Sequence, residues 1–455
     1  MRRLTQFLEN RLGLTSFWRN SMSEKRPPKG IGILRTFGFA ALTVLLLQFL
    51  TGIALSLHYV PSADLAYDSI RALEQDIPLG RFARSLHHFG ASAFVILVVL
   101  HMLRVFFTGA YKAPRELTWM TGVGLFVLVL AFGFTGYLLP WDQKAYFATK
   151  VGTEIAGKAP WVGPMLQESL NGGDSVGPPT LTRFYIIHVV ILPIALLGLV
   201  GLHLFLIQRH GVAAPKRPVG DQGEPGPPYF PGHVFKEALV GIVVAGILVA
   251  LAAQYNAPLE FVAEPSDTGY DPRPDWYFYG LFELLKLFKG PLEPVGAFWL
   301  PNFFLVVLVL LPFLDRSPHR DWRRRPITIS LGILALLTIS GLTISGWLDK
   351  PENEPTLQYP LGLTSAERSG YLLVRRLRCL DCHAIEQDGI TIGGSKDHPD
   401  APYLDELDED PDELAEFLEN PADRNEDTEM PDYAHIPYEE RRAIGLYLLW
   451  LIESR

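Results

Sequence analysis

Hydrophobic positions along the chain gather into seven long runs, about 33–57, 86–108, 117–139, 184–207, 235–254, 297–314 and 327–347, with polar residues concentrated between them. A helix rises about 1.5 Å per residue, so each run comes close to spanning a hydrocarbon core about 30 Å thick. The pattern predicts seven transmembrane helices. Beyond residue 350 the long runs stop, and a final amphipathic segment, 437–453, predicts a separate soluble helical domain. The expected fold class is all-α, with membrane helices followed by a soluble helical tail. The Pro/Gly-rich stretch from Pro215 to Pro231 divides the membrane part into four spans and then three, and Pro351, Pro355 and Pro360 mark a short linker to the tail. The domains expected are therefore 1–210, 211–350 and 351–455. The sequence holds no repeat and no long low-complexity tract.

Composition agrees with a membrane setting, since 48% hydrophobic residues in 455 is too apolar for an ordinary soluble enzyme. Charge adds orientation. Arg2, Arg3, Arg11, Arg19, Lys25 and Arg26 precede the first run, and Arg104, Lys112 and Arg115 lie around the second connection. Arg209, Lys216 and Arg217 follow the fourth run, and Arg316, Arg320, Arg323, Arg324 and Arg325 join the sixth to the seventh. These alternate segments belong together on the cytoplasmic side, with the N-terminus, and seven crossings then leave the C-terminus outside. The first run begins late and is long enough to span, so a cleavable signal peptide is not expected. The tail from 351 carries 25 acidic against 9 basic residues, a net of −16, which leaves +7 on the preceding 350. Its acidity suits a basic redox partner, or simply solubility. Nothing in the pattern calls for nucleic acid.

Both cysteines of the chain fall in Cys379-Leu380-Asp381-Cys382-His383. C-x-x-C-H is the attachment signature of c-type haem, with two thioether bonds to the porphyrin and the histidine as an axial ligand. A disulfide or a zinc half-site leaves the trailing histidine unexplained, and zinc lacks its other ligands. Met430, the only methionine of the tail, is the candidate second axial ligand, with His398 and His435 as substitutes. Haem attachment and disulfide-forming chemistry share the outer compartment of bacteria. That is the side to which the basic residues assign the tail.

Four histidines lie inside two of the apolar runs: His87 and His101, 14 residues apart, and His188 and His203, 15 apart. Either interval returns close to the same helix face after roughly 21 Å. An isolated intramembrane histidine is most often a hydrogen-bonded core residue; two matched pairs point instead to two metal cofactors stacked across a membrane. Gly38 and Gly52 in the first run, and Gly122 and Gly136 in the third, repeat the 14-residue interval. Glycine permits close approach to helix backbone, and its recurrence on both flanking helices suggests two porphyrins in a four-helix bundle. The second and fourth spans run in the same direction. His87 should therefore face His188 near the outer surface, and His101 should face His203 near the inner one, giving bis-histidine irons suited to electron transfer. Arg84 and Arg104, near the ends of the second run, are candidates to neutralise haem propionates, with snorkelling as the alternative.

These residues carry a resemblance. Gln48-Phe49-Leu50-Thr51-Gly52, the His87 to His101 segment with Gly90-Ala91-Ser92, Thr135-Gly136-Tyr137-Leu138-Leu139-Pro140-Trp141 and Thr182-Arg183-Phe184-Tyr185 resemble cytochrome b of the quinol-oxidising bc-type complexes over nearly all of residues 30–347. The 15-residue interval, Pro114 to Trp119 and Trp141-Asp142-Gln143 are most similar to the chloroplast-type branch, and the tail resembles a small class I cytochrome c. Pro274-Asp275-Trp276-Tyr277 resembles the family's P-E-W-Y motif, whose carboxylate helps to accept a quinol proton. Asp275 is one methylene shorter than the usual glutamate, and a helix-start role after Pro274 is its structural alternative. Tyr137 and Tyr277 are candidates for lining the same outer pocket. Phe235-Lys236-Glu237 is similar to the basic-acidic pair of the inner quinone site, which makes Lys236 and Glu237 candidate proton donors there, or an interfacial anchor.

The resemblance implies a protonmotive quinol:cytochrome c oxidoreductase of a bacterial inner membrane, with two non-covalent b haems, one covalent c haem and quinol as substrate. The chloroplast-type branch tethers a further haem by a cysteine where this chain has Thr36, so that haem is not expected. The chain has no cysteines left for an iron–sulfur cluster, so a separate Rieske protein is implied, together with other complex subunits, an external soluble or membrane-bound cytochrome c or similar acceptor, and a homodimeric assembly. A dihaem membrane anchor delivering dehydrogenase electrons to quinone is the rival enzyme. A membrane-tethered cytochrome c is the non-enzymatic rival.

Overall fold

The computed structural model describes residues 26–29, 32–265, 270–349, 363–387, 390–394, 398–399, 401–407, 409–425 and 428–453. Arg2, Arg3, Arg11, Arg19 and Lys25, and the linker prolines Pro351, Pro355 and Pro360, lie outside the described residues. The chain separates into two compact units, one of residues 1–263 with 272–349 and the other of 264–271 with 350–455.

The first unit holds seven helical spans long and apolar enough to cross a membrane: Ile33–Ser56, Gly80–Phe107, Glu116–Tyr137, Pro178–His210, Gly232–Gln254, Gly290–Leu314 and Pro326–Leu348. A helix satisfies every backbone amide within its own segment, which is what a hydrocarbon solvent demands. The spans keep most of their apolar surface outward, and the sixth and seventh bury only 6% of their most apolar stretch. That surface suits lipid contact. Interior packing is confined to seams. Ala40, Val44, Leu86, Leu97, Leu248 and Ala252 join the first, second and fifth spans. Trp119 and Val123 pack with Tyr111 against Leu305 and Leu308 of the sixth, and the Trp119 indole donates to the Leu308 carbonyl at 2.7 Å.

Two features of this unit position the site. The helix Gln143–Gly157 begins at Asp142, whose carboxylate caps it by accepting from the Ala145 amide at 2.8 Å and also takes the Glu260 amide at 3.1 Å. Gln143 donates to the Phe261 carbonyl at 2.8 Å and Ala263 to that of Trp141 at 2.9 Å, so the segment after the fifth span is stitched to the end of the third. The fourth span is also not α-helical throughout. Residues Ile187–Ile191 form a π-turn that includes His188.

The second unit packs helices Ser365–Arg376 and Pro411–Glu419 against Tyr438–Glu453 around Tyr371, Val374, Leu414, Ala415, Tyr447 and Leu448. A side chain at Gly370 would run into the Ala443 carbonyl, so glycine sets the closeness of the first and last of these helices. Thr364 and Glu367 close a reciprocal capping box. The purely helical expectation for this tail missed an antiparallel hairpin, β1 (Ala384–Gln387) with β2 (Ile390–Gly393), in which Ile385 faces Ile392. Four-residue strands are too short for period-two alternation to stand out in the sequence.

Candidate functional site

Within the first four spans, the four histidines and four glycines of the sequence pattern converge two by two. His101 and His203, with Gly38 and Gly122, line a cavity of about 330 Å³. His87 and His188, with Gly52 and Gly136, line another of about 510 Å³. The His87 and His188 rings stand with centroids 6.4 Å apart, 71° between planes. Metal–imidazole bonds are about 2.0 Å, so two rings ligating one ion from opposite sides have centroids roughly 6 Å apart. The pair meets that requirement. Among the described residues no three His, Cys, Asp or Glu side chains converge as a metal site. Such a pair suits an ion that brings its own equatorial ligands.

Each glycine faces one imidazole. A Cβ at Gly136 would lie 2.7 Å from the His188 ring, at Gly38 3.1 Å from His101, at Gly52 3.3 Å from His87 and at Gly122 3.4 Å from His203. Threonine precedes three of the four glycines. Thr51, Thr135 and Thr121 place their Oγ1 at 2.9, 3.0 and 2.9 Å from Nδ1 of His87, His188 and His203. Each hydroxyl also donates to a carbonyl of its own helix, that of Leu47 at 2.7 Å, Ala131 at 2.8 Å and Thr118 at 3.0 Å. A hydroxyl has one proton. With that proton spent on the carbonyl, the oxygen accepts Nδ1–H from the ring, which leaves Nε2 as a bare lone pair free to ligate. Phe37 occupies the fourth position, and the buried Nδ1 of His101 has no hydrogen-bond partner among the described residues.

The unequal intervals now have a physical account. A π-turn accommodates one residue more than the α-helix it interrupts. The extra residue between His188 and His203 is absorbed at Ile187–Ile191, and both rings stay on the bundle's inner face.

The larger cavity also receives Asp275, Tyr277 and Tyr137. Asp275 stands at the first position before the short helix Trp276–Phe278, yet its side chain does not cap that helix. Its Oδ1 instead pairs with the Lys144 ammonium at 2.6 Å, and its Oδ2 accepts from the Tyr277 hydroxyl at 3.0 Å. Burial, reinforced by Asp275, holds the Tyr277 phenol well above the ordinary range. Gly133 makes room for that phenol, since a Cβ there would lie 2.7 Å from its oxygen. Tyr137 is directed at the Ala148 carbonyl, 3.4 Å away. Burial pushes Asp142 up to about 6, against the pull of the Ala145 and Glu260 amides.

The arginines divide. Arg84 lines the larger cavity but is engaged by Glu74 and by the carbonyls of Ala257 at 3.1 Å and Pro258 at 2.5 Å. Arg104 lines the smaller cavity with Arg35 and Arg115. Glu237 reaches that cavity too and accepts from the Tyr229 hydroxyl, whereas Lys236 is exposed and does not line it. Adjacent helical residues point about 100° apart, so the structure does not bring that pair together.

In the second unit, Cys379 opens a tight turn, Cys379–Asp381, and the His383 amide closes it on the Cys379 carbonyl at 2.9 Å. His383 Nδ1 lies 2.8 Å from the Pro402 carbonyl, an acceptor only, so Nδ1 carries the proton and Nε2 is free. Burial pushes the Cys379 thiol up to about 12, away from thiolate metal chemistry. Burial and the two nearby thiols likewise raise Tyr433 to about 12, which sets the segment following Met430 beside the cysteines. His398 pairs with Glu429 at 3.1 Å, and His435 lies against the Tyr433 ring.

Two family models match the chain, one described as cytochrome b/b6/petB over residues 22–211 and one as cytochrome b(C-terminal)/b6/petD over 262–359. The chain is similar to the menaquinol:cytochrome c reductase cytochrome b subunit of Geobacillus thermodenitrificans, 42% identical over 47% of this chain and 99% of that one. The chain belongs to the cytochrome b family of bc-type complexes. The cytochrome bc complex cytochrome b subunit of Chlorobaculum thiosulfatiphilum is 36% identical over 69% of this chain and 74% of the relative. A solved structure titled "Hyperthermophilic respiratory Complex III" shares the fold with a TM-score of 0.68 and 31% identity, covering 76% of this chain and 92% of its own. Cytochrome b families bind b-type haem and act on quinol. The protein is thus a multi-pass membrane subunit of a quinol:cytochrome c reductase.

Sequence reasoning overlooked Lys144, Gly133 and the three threonines. The threonines carried a readable signal, since Thr51, Thr121 and Thr135 each stand directly before a glycine of the repeat. Lys144 follows the quoted Trp141-Asp142-Gln143 and carried none, because its partner lies 131 residues away.

Proposed function

We propose that this cytochrome b holds two b haems, one between His87 and His188 with Gly52 and Gly136, the other between His101 and His203 with Gly38 and Gly122. The observation that carries this is the opposed His87–His188 pair at 6.4 Å, with its Nε2 lone pairs left free by Thr51 and Thr135. When bound, the haems supply one-electron transfer across the bundle. Arg104, with Arg35 and Arg115, balances anionic groups in the smaller cavity. Arg84 contributes to the other cavity through its anchorage on Glu74.

Quinol binds in the larger cavity, where Tyr137 and Tyr277 line the pocket and the Asp275 carboxylate takes a proton from the quinol hydroxyl. Quinone is served at the opposite end beside Glu237, with Lys236 at the mouth. In the tail, Cys379, Cys382, His383 and Met430 would hold a c haem, which would supply one-electron transfer there. The division into 1–210, 211–350 and 351–455 then separates haem bundle, quinol-site helices and cytochrome c. The complex sits in a bacterial inner membrane, and the basic connections support an N-terminus in the cytoplasm and a tail outside. A Rieske iron–sulfur protein, an external cytochrome c and a second copy of the complex complete the assembly.

The test is a pyridine haemochrome spectrum of the purified intact complex, together with quinol-driven reduction of cytochrome c. We expect two b haems for each c haem and inhibitor-sensitive turnover. A complex with no b haem, or one that reduces quinone but cannot oxidise quinol, overturns the reading.

A further inference from the structure

Asp275 reaches one methylene less far into its cavity than a glutamate would. The structure supplies a partner across that gap. Lys144 lies in the first turn of helix Gln143–Gly157, whose start is fixed by the Asp142 cap and by the Gln143 amide on Phe261. From this anchored position its ammonium meets Asp275 Oδ1 at 2.6 Å, while Tyr277 donates to Oδ2 at 3.0 Å. The pair is largely shielded, with side-chain exposures of 29% and 17%. Both carboxylate oxygens are therefore directed, and neither serves the adjoining helix as a cap.

The charge balance around the pair is local. Lys144 is flanked by Asp142 and Glu260. Tyr137 and Tyr277 face Asp275 with their phenols, His88 faces it from the second span, and Arg84 lines the same cavity. Burial pulls the Lys144 ammonium down, but Asp275, Asp142 and Glu260 together outweigh it and leave it above the ordinary lysine value. It remains a cation throughout the working range of pH.

We propose that Lys144 is the positioning residue of the quinol-oxidising site, aiming the Asp275 carboxylate into the cavity where it receives a quinol proton. This rests on the reading of Asp275 as the site's base. In the step itself the quinol O–H bond breaks, its proton ends on a carboxylate oxygen of Asp275, and Lys144 stays an ammonium. Release of that proton to the outer side restores the ion pair.

Without the ammonium the carboxylate loses the partner that fixes its Oδ1, so its aim is lost while the pocket is kept. In the purified complex, assayed with a synthetic short-chain quinol and cytochrome c, Lys144→Gln should lower kcat for quinol oxidation about tenfold with KM little changed. Lys144→Arg should keep the native kcat, and haem content should be unchanged in both. A native kcat in Lys144→Gln, or equal losses in Lys144→Gln and Lys144→Arg, overturns the proposal. Asp275→Asn separates the two readings. If it abolishes turnover while Lys144→Gln behaves as native, only the lysine role fails; if it turns over at the native rate, the base assignment fails as well.

Discussion

Gly136 and Gly122 hold equivalent places on the third span, yet the space beside them differs. A Cβ at Gly136 would lie 2.7 Å from a His188 ring that Thr135 pins through Nδ1, whereas one at Gly122 would sit 3.4 Å from His203, an ordinary contact. Gly136→Ala should therefore cost most of the b haem proposed to bind between His87 and His188, and Gly122→Ala should leave the haem proposed between His101 and His203 in place. Reduced-minus-oxidised spectra of the two variants resolve this; equal losses would refute the glycine-to-imidazole packing. At this scale, legibility depended on how far apart the interacting residues are in the chain. The Cys379–His383 motif is local and could be read directly. The pairing of Lys144 with Asp275 spans 131 residues and could not.

The helices tell a similar story one level up. Seven spans were readable because lipid admits only segments that satisfy their own backbone, and such segments announce themselves as long apolar runs. The π-turn at Ile187–Ile191 was not, although the 15-residue interval was its trace. Deleting Val190 should convert that turn to α-helix with His188 and His203 still inward, so both b haems should be retained. Deleting Val99, which lies in continuous α-helix between His87 and His101, turns one histidine about 100° away and should lose one haem. Haem-to-protein ratios of the two deletions decide the point. The β1–β2 hairpin escaped for the opposite reason, being too short to carry a period.

Across the whole membrane unit, a buried charge cluster ties the connection after the second span to the one after the sixth. Asp315 pairs with Lys112 at 2.8 Å and Arg325 at 3.1 Å and accepts from Tyr111, with all three charged side chains nearly inaccessible. Burial alone would raise the Asp315 carboxyl, but the hydrogen bonds from Lys112, Tyr111 and Arg325 prevail and hold it below the usual range. A carboxylate so depressed contributes stability above its unfolded value of about 3.9 and loses it only as pH falls through the lower folded value. Asp315→Asn strands two buried cations and should cost about 3–5 kcal/mol, measured as a lower unfolding midpoint of the detergent-solubilised complex at neutral pH. A native midpoint would show the cluster to be dispensable. What the sequence by itself determined was whatever local chemistry or solvent dictates: the seven spans, the C-x-x-C-H motif and the spacing of histidines and glycines along single helices. The direction of the spans also paired His87 with His188 and His101 with His203, but only the tertiary structure decided which threonines set their free nitrogens and which lysine answers Asp275. Those relations depend on distances between helices, and a linear pattern does not encode them.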